Sequence, residues 1–142
     1  MKAIYVGRDD NGAALARATV ERAMSSPVVC VAADLPLSAA LRAMVDAGRR
    51  HLVVVDAAGR CLGVLADRAV AAAWAFNPAS LDTSSVTSAL DPEPAVVSQR
   101  APLSRAARMM RTLGVDAVAV VDVDGHPVGI VTGSDLVGLL AR

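Results

Sequence analysis

The segment Gly129-Ile130-Val131-Thr132-Gly133-Ser134-Asp135-Leu136 places a hydroxyl and a carboxylate three residues apart, after an apolar run and before a helical pattern. Thr132 and Asp135 therefore fall on the opening turn of a helix. Free backbone N–H groups and the helix dipole favour anions there. A carboxylate's two acceptor oxygens can take both hydroxyl protons of a diol. The commoner role of such residues is local: Thr132 or Ser134 caps the helix and Asp135 adds first-turn charge. A second group, Arg49-Arg50-His51, stands before a Val-rich run. Guanidinium is a fork donor suited to phosphate, although an Arg pair is more often a solvated loop feature. The chain shows no Ser/His/Asp set, no plausible Cys/His pair, no Gly-x-Gly-x-x-Gly and no metal-ligand cluster, so these groups suit binding rather than catalysis.

The elements that carry these residues occur twice. At an offset of 66 residues, Pro36-Leu37-Ser38 falls on Pro102-Leu103-Ser104, and Met44, Gly48, Gly59 and Gly63 fall on Met110, Gly114, Gly125 and Gly129. Val54-Val55-Asp56 falls on Val120-Val121-Asp122 in the same register. Because prolines, glycines and a strand-terminal Asp recur together, the backbone punctuation is duplicated.

The periodicity predicts a turn at 9–12, a helix over 13–24 and a strand at 28–31. A helix then runs from Pro36 to Gly48, with Leu37, Leu41, Met44 and Val45 on one face. Strands at 51–56 and 61–65 form a hairpin about Ala57-Ala58-Gly59-Arg60, and Asp67 caps a helix to about Ala75. A linker over 77–85 leads to the second copy: a helical lead-in at 86–90, a strand near 95–98 and a helix over 102–113. Strands at 117–121 and 128–131 and a helix over 134–140 complete it. Each unit is β-α-β-β-α and barely stable alone, so the fold class is α+β. Two repeats related by a pseudo-twofold axis pack sheet to sheet, with a lead-in at 1–19, repeats at 20–76 and 86–142, and a linker at 77–85.

Composition bounds the partners. The 142 residues are 54% apolar and 2% aromatic, so the core is aliphatic and offers little stacking for bases. Fourteen basic residues balance 14 acidic ones, and Lys2 is the only lysine, so no net field favours nucleic acid or an anionic membrane. No apolar stretch approaches the ~20 residues that span a bilayer. The first residues lack the h-region of a signal peptide, which points to the cytoplasm. Cys30 and Cys61 read as buried reduced thiols, Trp74 and Phe76 as core or dimer packing, and His126 as exposed and inert. Arg105, Arg108 and Arg111 read as a solvated helix side.

The duplicated layout, with a Val-Val-Val-Asp strand, a glycine turn and then Gly-Ile-Val-Thr-Gly-Ser-Asp-Leu at 129–136, resembles the tandem cystathionine β-synthase (CBS) domain, or Bateman module, over about residues 20–142. The resemblance implies a non-enzymatic regulatory module of the stand-alone type, with no cofactor required. Its ligands would be adenine nucleotides such as AMP, ADP or ATP, or S-adenosylmethionine, held in clefts between the repeats. In that family the motif Asp binds the ribose hydroxyls and the motif Thr or Ser holds sugar or phosphate. Residues entering the middle strand frame the base or meet phosphate from across the pseudo-twofold.

Carried onto this sequence, Thr132, Ser134 and Asp135 hold the sugar, Asp116 and Ala117 frame the base, and Arg50, with Arg49 or His51, meets the phosphate. Asp116 is the discordant member, because a carboxylate beside a phosphate repels it. In repeat 1 the motif reads Gly63-Val64-Leu65-Ala66-Asp67-Arg68-Ala69-Val70, with Ala66 and Ala69 where Thr132 and Asp135 stand. That cleft is expected to be empty, weak or altered, leaving one composite site per chain. The resemblance also implies a homodimer and an unidentified partner protein. The competing reading is a ligand-free adaptor or stress-response dimer that keeps the fold alone. An enzyme using an adenosyl cofactor is a third, opposed by the lack of any catalytic constellation.

Overall fold

A computed structural model of the protein describes Ala3 and residues 17–141. The turn expected at 9–12 and the part of the expected 13–24 helix before residue 17 lie outside them; within the described part Thr19 is extended and bridges Pro102, and the helix that ends at Ala23 begins only at Val20.

The first half runs α1 (Val20–Ala23), β1 (Cys30–Ala32), α2 (Leu37–Ala47), β2 (His51–Val55), β3 (Cys61–Ala66) and α3 (Asp67–Phe76). The stretch expected to be a plain linker holds a short helix, α4 (Ser80–Thr83), and the lead-in of the second half is a 3-10 turn (Val86–Ala89). Then follow β4 (Val96–Ser98), α5 (Leu103–Leu113), β5 (Ala117–Val121), β6 (Pro127–Thr132) and α6 (Gly133–Leu140).

Each half carries a three-stranded sheet in chain order, with its first pair parallel and its second antiparallel. The register repeats as well: Val54 faces Gly63 and Val120 faces Gly129, with an irregularity one residue later in both hairpins. Gly48 and Gly114 close α2 and α5 in the left-handed conformation, at φ +63° and +67°, which glycine adopts without a Cβ penalty. Side chains alternate along the middle strands. Leu52 and Val54 join the helix-side core of the first half, and Val118 and Val120 that of the second. Val53 and Ala119 are equally buried but belong to neither core, so they face the opposite sheet, where β3 and β5 meet.

The two lead-ins are exchanged. Val20 packs in the core of the second half with Leu103, Val118 and Val131, whereas Val86 packs in the core of the first with Leu37, Leu52 and Leu65. Isolated β-bridges Thr19–Pro102 and Pro36–Ser85 fasten them. Each contiguous repeat therefore lacks part of its own core.

Several expectations are corrected. Ala66, not Asp67, stands at the N-cap of α3, and the Asp67 carboxylate takes only the adjacent Arg68 N–H (2.8 Å). On α2 the buried face is Leu37, Ala40 and Met44, leaving Leu41 and Val45 exposed. Trp74 and Phe76 are 56% and 94% exposed, so neither is core. Cys30 is exposed and Cys61 half-buried; β2 separates their strands and both thiols are free.

Candidate functional site

Two clefts lie between the halves. The second cleft, about 410 Å³, is lined by Ser25, Gly48, Arg49, Arg50, His51, Asp116, Ile130, Thr132, Gly133 and Ser134. It joins the end of α2 and the start of β2 to the β6–α6 junction, so six of the eight expected site residues line one cavity. Ala117 does not; it lines the first cleft instead. Asp135 lies behind Thr132, half-buried, and reaches the cavity only through its neighbours.

The local role expected of Thr132 and Asp135 is realised. Thr132 is the N-cap of α6, and the two form a reciprocal capping box. Thr132 N–H donates to Asp135 Oδ2 (2.8 Å), as does the Thr132 hydroxyl (3.1 Å), and Asp135 N–H donates to Thr132 Oγ1 (3.3 Å). The other carboxylate oxygen, Oδ1, accepts from the Ser25 hydroxyl at 3.1 Å. Ser25 is held by antiparallel bridging to Ile130, with Ser25 N–H on the Ile130 carbonyl (2.8 Å) and the reverse bond at 3.1 Å.

Opposite this junction, Arg50 extends into solvent, its side chain 85% exposed, with Nε 3.8 Å from Asp67 Oδ2. So loose a pair leaves the guanidinium available. His51 is better fixed, at 12% side-chain exposure, with Nε2 3.0 Å from Asp116 Oδ1. Because a carboxylate only accepts, Nε2 carries the proton. That hydrogen bond holds the Asp116 carboxyl below the usual carboxylate range, against slight desolvation and with help from the positive charge of His51 and Arg68. The discordant carboxylate is thus engaged by the ring N–H of its neighbour.

His51 and Asp116 also line the first cleft, about 380 Å³, so their hydrogen bond forms a wall common to both. The rest of the first cleft is mostly apolar, with Gly63, Val64, Ala66, Ala69, Leu90 and Pro94 around it. Asp91 and Glu93 add acid, and Arg68, in the register of Ser134, donates from Nη2 to the Gly114 carbonyl (2.9 Å). The expected loss of a hydroxyl and carboxylate here is plain in Ala66 and Ala69. Sequence reasoning missed Arg68, whose signal lay in its alignment with Ser134. It also missed Ser25, for which the repeat gives no signal because the second lead-in has Asp91 in that register.

The hairpin tips meet away from both clefts. Cys61 N–H donates to the Gly125 carbonyl (2.9 Å), and His126 Nε2 lies 3.2 Å from the Ala58 carbonyl, so His126 is exposed but joins the two halves. Asp122, Asp124 and His126 bring ligand-type atoms within 4.8 Å of one another, a grouping the sequence reading overlooked. Asp122 Oδ1 already takes the N–H groups of Asp124 and His126, as a turn residue does. Among the described residues no helix is long and apolar enough to cross a membrane.

The CBS domain family model matches residues 20–75 and again 86–142. A CBS domain-containing protein of Dictyostelium discoideum is 30% identical over 132 residues, covering 87% of this chain and 91% of that protein. An uncharacterised protein of Methanocaldococcus jannaschii is 30% identical over 107 residues, 75% of this chain but 25% of its own length. Two solved structures share the fold at a TM-score of 0.77. The CBS domain pair of protein MJ0100, in complex with 5′-methylthioadenosine and S-adenosyl-L-methionine, is 22% identical over 87% of this chain and 96% of its own. The CBS domain of a bacterial CNNM/CorC family Mg2+ transporter, in complex with ATP, is 19% identical over 92% of both. Matched in both halves and folded as two interlocked β-α-β-β-α units, this chain belongs to the CBS domain family as a tandem CBS pair.

Proposed function

We propose that this CBS pair is a non-catalytic regulatory module that binds an adenine nucleotide in its second cleft and signals by a change in how its halves, or two copies, pack. The observation that carries the reading is the joining in one cavity of Arg49, Arg50 and His51 from one half with Thr132 and Ser134 from the other. The Arg50 guanidinium, exposed and loosely paired, meets phosphate. The Thr132 hydroxyl and the Asp135 Oδ1 behind it meet the sugar. The first cleft, with Ala66 and Ala69, lacks the diol-binding pair, so one nucleotide binds per chain.

A ligand can shift packing only through unequal affinity for two arrangements. The His51–Asp116 hydrogen bond joins the halves across the cleft wall, and a phosphate drawing on His51 competes with Asp116 for it. Two copies pair in the cytoplasm through exposed apolar residues of α2 and α3, among them Leu41, Val45 and Trp74.

The test is calorimetry of the purified chain with AMP, ADP, ATP and S-adenosylmethionine. At least one binds at one site per chain. Arg50→Ala weakens a nucleotide about tenfold, the scale of one lost charge-assisted hydrogen bond, and Asp135→Ala weakens it at least as much. Binding of none of the four, or unchanged binding by Asp135→Ala, defeats the proposal.

A ligand-free adaptor is the second reading. It is favoured by the Asp135 carboxylate, both of whose oxygens already have partners within the protein.

A further inference from the structure

We infer that Ser25 is an internal competitor for the second cleft: its hydroxyl occupies the acceptor that a ligand diol needs, and the bridge at residue 25 must release for the cleft to fill. The inference rests on the reading of that cleft as a nucleotide site.

Asp135 has one oxygen to give. Oδ2 is committed to Thr132, whose N–H and hydroxyl both donate to it and which stays in place as long as α6 is capped. Oδ1 accepts only one donor from another part of the chain, the Ser25 hydroxyl, 110 residues away. A diol that reaches Asp135 therefore meets an oxygen with one of its two acceptor positions already filled.

Ser25 is held there by backbone. Its two hydrogen bonds with Ile130 add one residue of antiparallel pairing beside β6, and both residues line the cleft. Met24, next to it, packs on Gly129 so closely that a Cβ on that glycine would collide with the Met24 side chain. Beyond the bridge, Ser26 and Pro27 are exposed, so the attachment ends abruptly and can peel from that side.

The asymmetry between the halves points the same way. The lead-in bridges Thr19–Pro102 and Pro36–Ser85 occupy matching positions in the two halves, whereas Ser25–Ile130 has no counterpart among the described residues. In the register of Ser25 the second lead-in, which packs on the first half, has the exposed Asp91, and the cleft it lines lacks the carboxylate that Asp135 supplies. The strap is present in the half that has something to cover. A site whose competent state is only partly populated binds with an apparent affinity reduced by that fraction, so Ser25 sets the concentration at which the module responds.

The experiment titrates wild type and Ser25→Ala with AMP and with ATP by calorimetry, and follows amide exchange of the wild type with and without nucleotide. Removing the hydroxyl tightens binding about fivefold, the scale of one net hydrogen bond, although it deletes a group from the cleft lining. Nucleotide also speeds exchange at the Ser25 and Ile130 amides. Thermal unfolding of Ser25→Ala establishes that it is folded. If nucleotide binds the wild type and Ser25→Ala binds equally or more weakly, the competitor is disproved while the nucleotide site stands. Bound nucleotide that slows exchange at Ser25 and Ile130 disproves it too, whatever the variant does. Absence of binding in both proteins overturns the nucleotide site and this inference with it.

Discussion

Asp116 shows how a residue that looks misplaced in sequence is explained by its partner in space. Its carboxylate accepts from His51 and its pKa is lowered in consequence. A lowered folded pKa contributes stability above the ordinary carboxylate value of ~3.9, and that stability is lost as pH falls through the folded value. Asp116→Asn therefore lowers stability at pH 7 and not at pH 2. Because the side chain is 65% exposed, the difference is below about 1 kcal/mol. Urea unfolding of both proteins at the two pH values measures it. Gly129 is the opposite case, where a single added methyl meets a packed side chain. Gly129→Ala displaces Met24 and costs about 1–3 kcal/mol in the same assay. At this scale the sequence was readable where chemistry is local: the Thr132–Asp135 spacing announces the cap that the structure shows. It was unreadable where a partner comes from far along the chain, as with Ser25 on Asp135 or His51 on Asp116.

Elements were largely legible because their signals lie within each segment. Pro36 and Pro102 mark helix starts, Gly48 and Gly114 mark helix ends, and the Val-rich runs are too short for buried helices. The exchange of lead-ins was not legible, since a 66-residue repeat fixes what the segments are and not which core each one joins. The packing now predicts equivalent effects at matched positions. Val20 and Val86 are both fully buried, each in the other half's core. Val20→Ala and Val86→Ala should each cost roughly 1–3 kcal/mol, with Val20→Ala loosening the β4–β6 sheet and Val86→Ala the β1–β3 sheet. Amide exchange resolved by strand distinguishes the two. Cys30 adds a caution about burial patterns on an edge strand: its residue is exposed, yet local burial pushes its thiol pKa up. At neutral pH it should react with a disulfide reagent more slowly than a free thiol does.

At the scale of the whole molecule the halves interlock. Sheets meet through β3 and β5, hairpin tips clasp through Cys61–Gly125 and His126–Ala58, and the lead-ins cross over. A fragment ending at residue 76 lacks Val86, and a fragment starting at residue 86 lacks Val20, so each should stay unfolded when expressed alone. The two mixed should regain structure by circular dichroism. Pairing of two copies is testable on the same protein, since Trp74 is the only tryptophan and is 56% exposed. If the α2–α3 face is the dimer contact, the mass by light scattering is twice that of the chain and the Trp74 emission shifts to the red on dilution. Trp74→Glu then yields monomer.

The crossing of the lead-ins also has a consequence for how the protein is made. Val20 and Ser25 leave the ribosome early, but the surfaces that receive them, Leu103, Val118 and Ile130, are translated roughly eighty to a hundred residues later. Synthesis proceeds at ~5–20 residues per second, so α1 stays uncovered for several seconds while the strands of the first sheet are already translated. α1 is among the late arrivals in the native structure, and the nascent chain displays Val20 and Met24 to whatever chaperone attends the exit tunnel until the second half emerges.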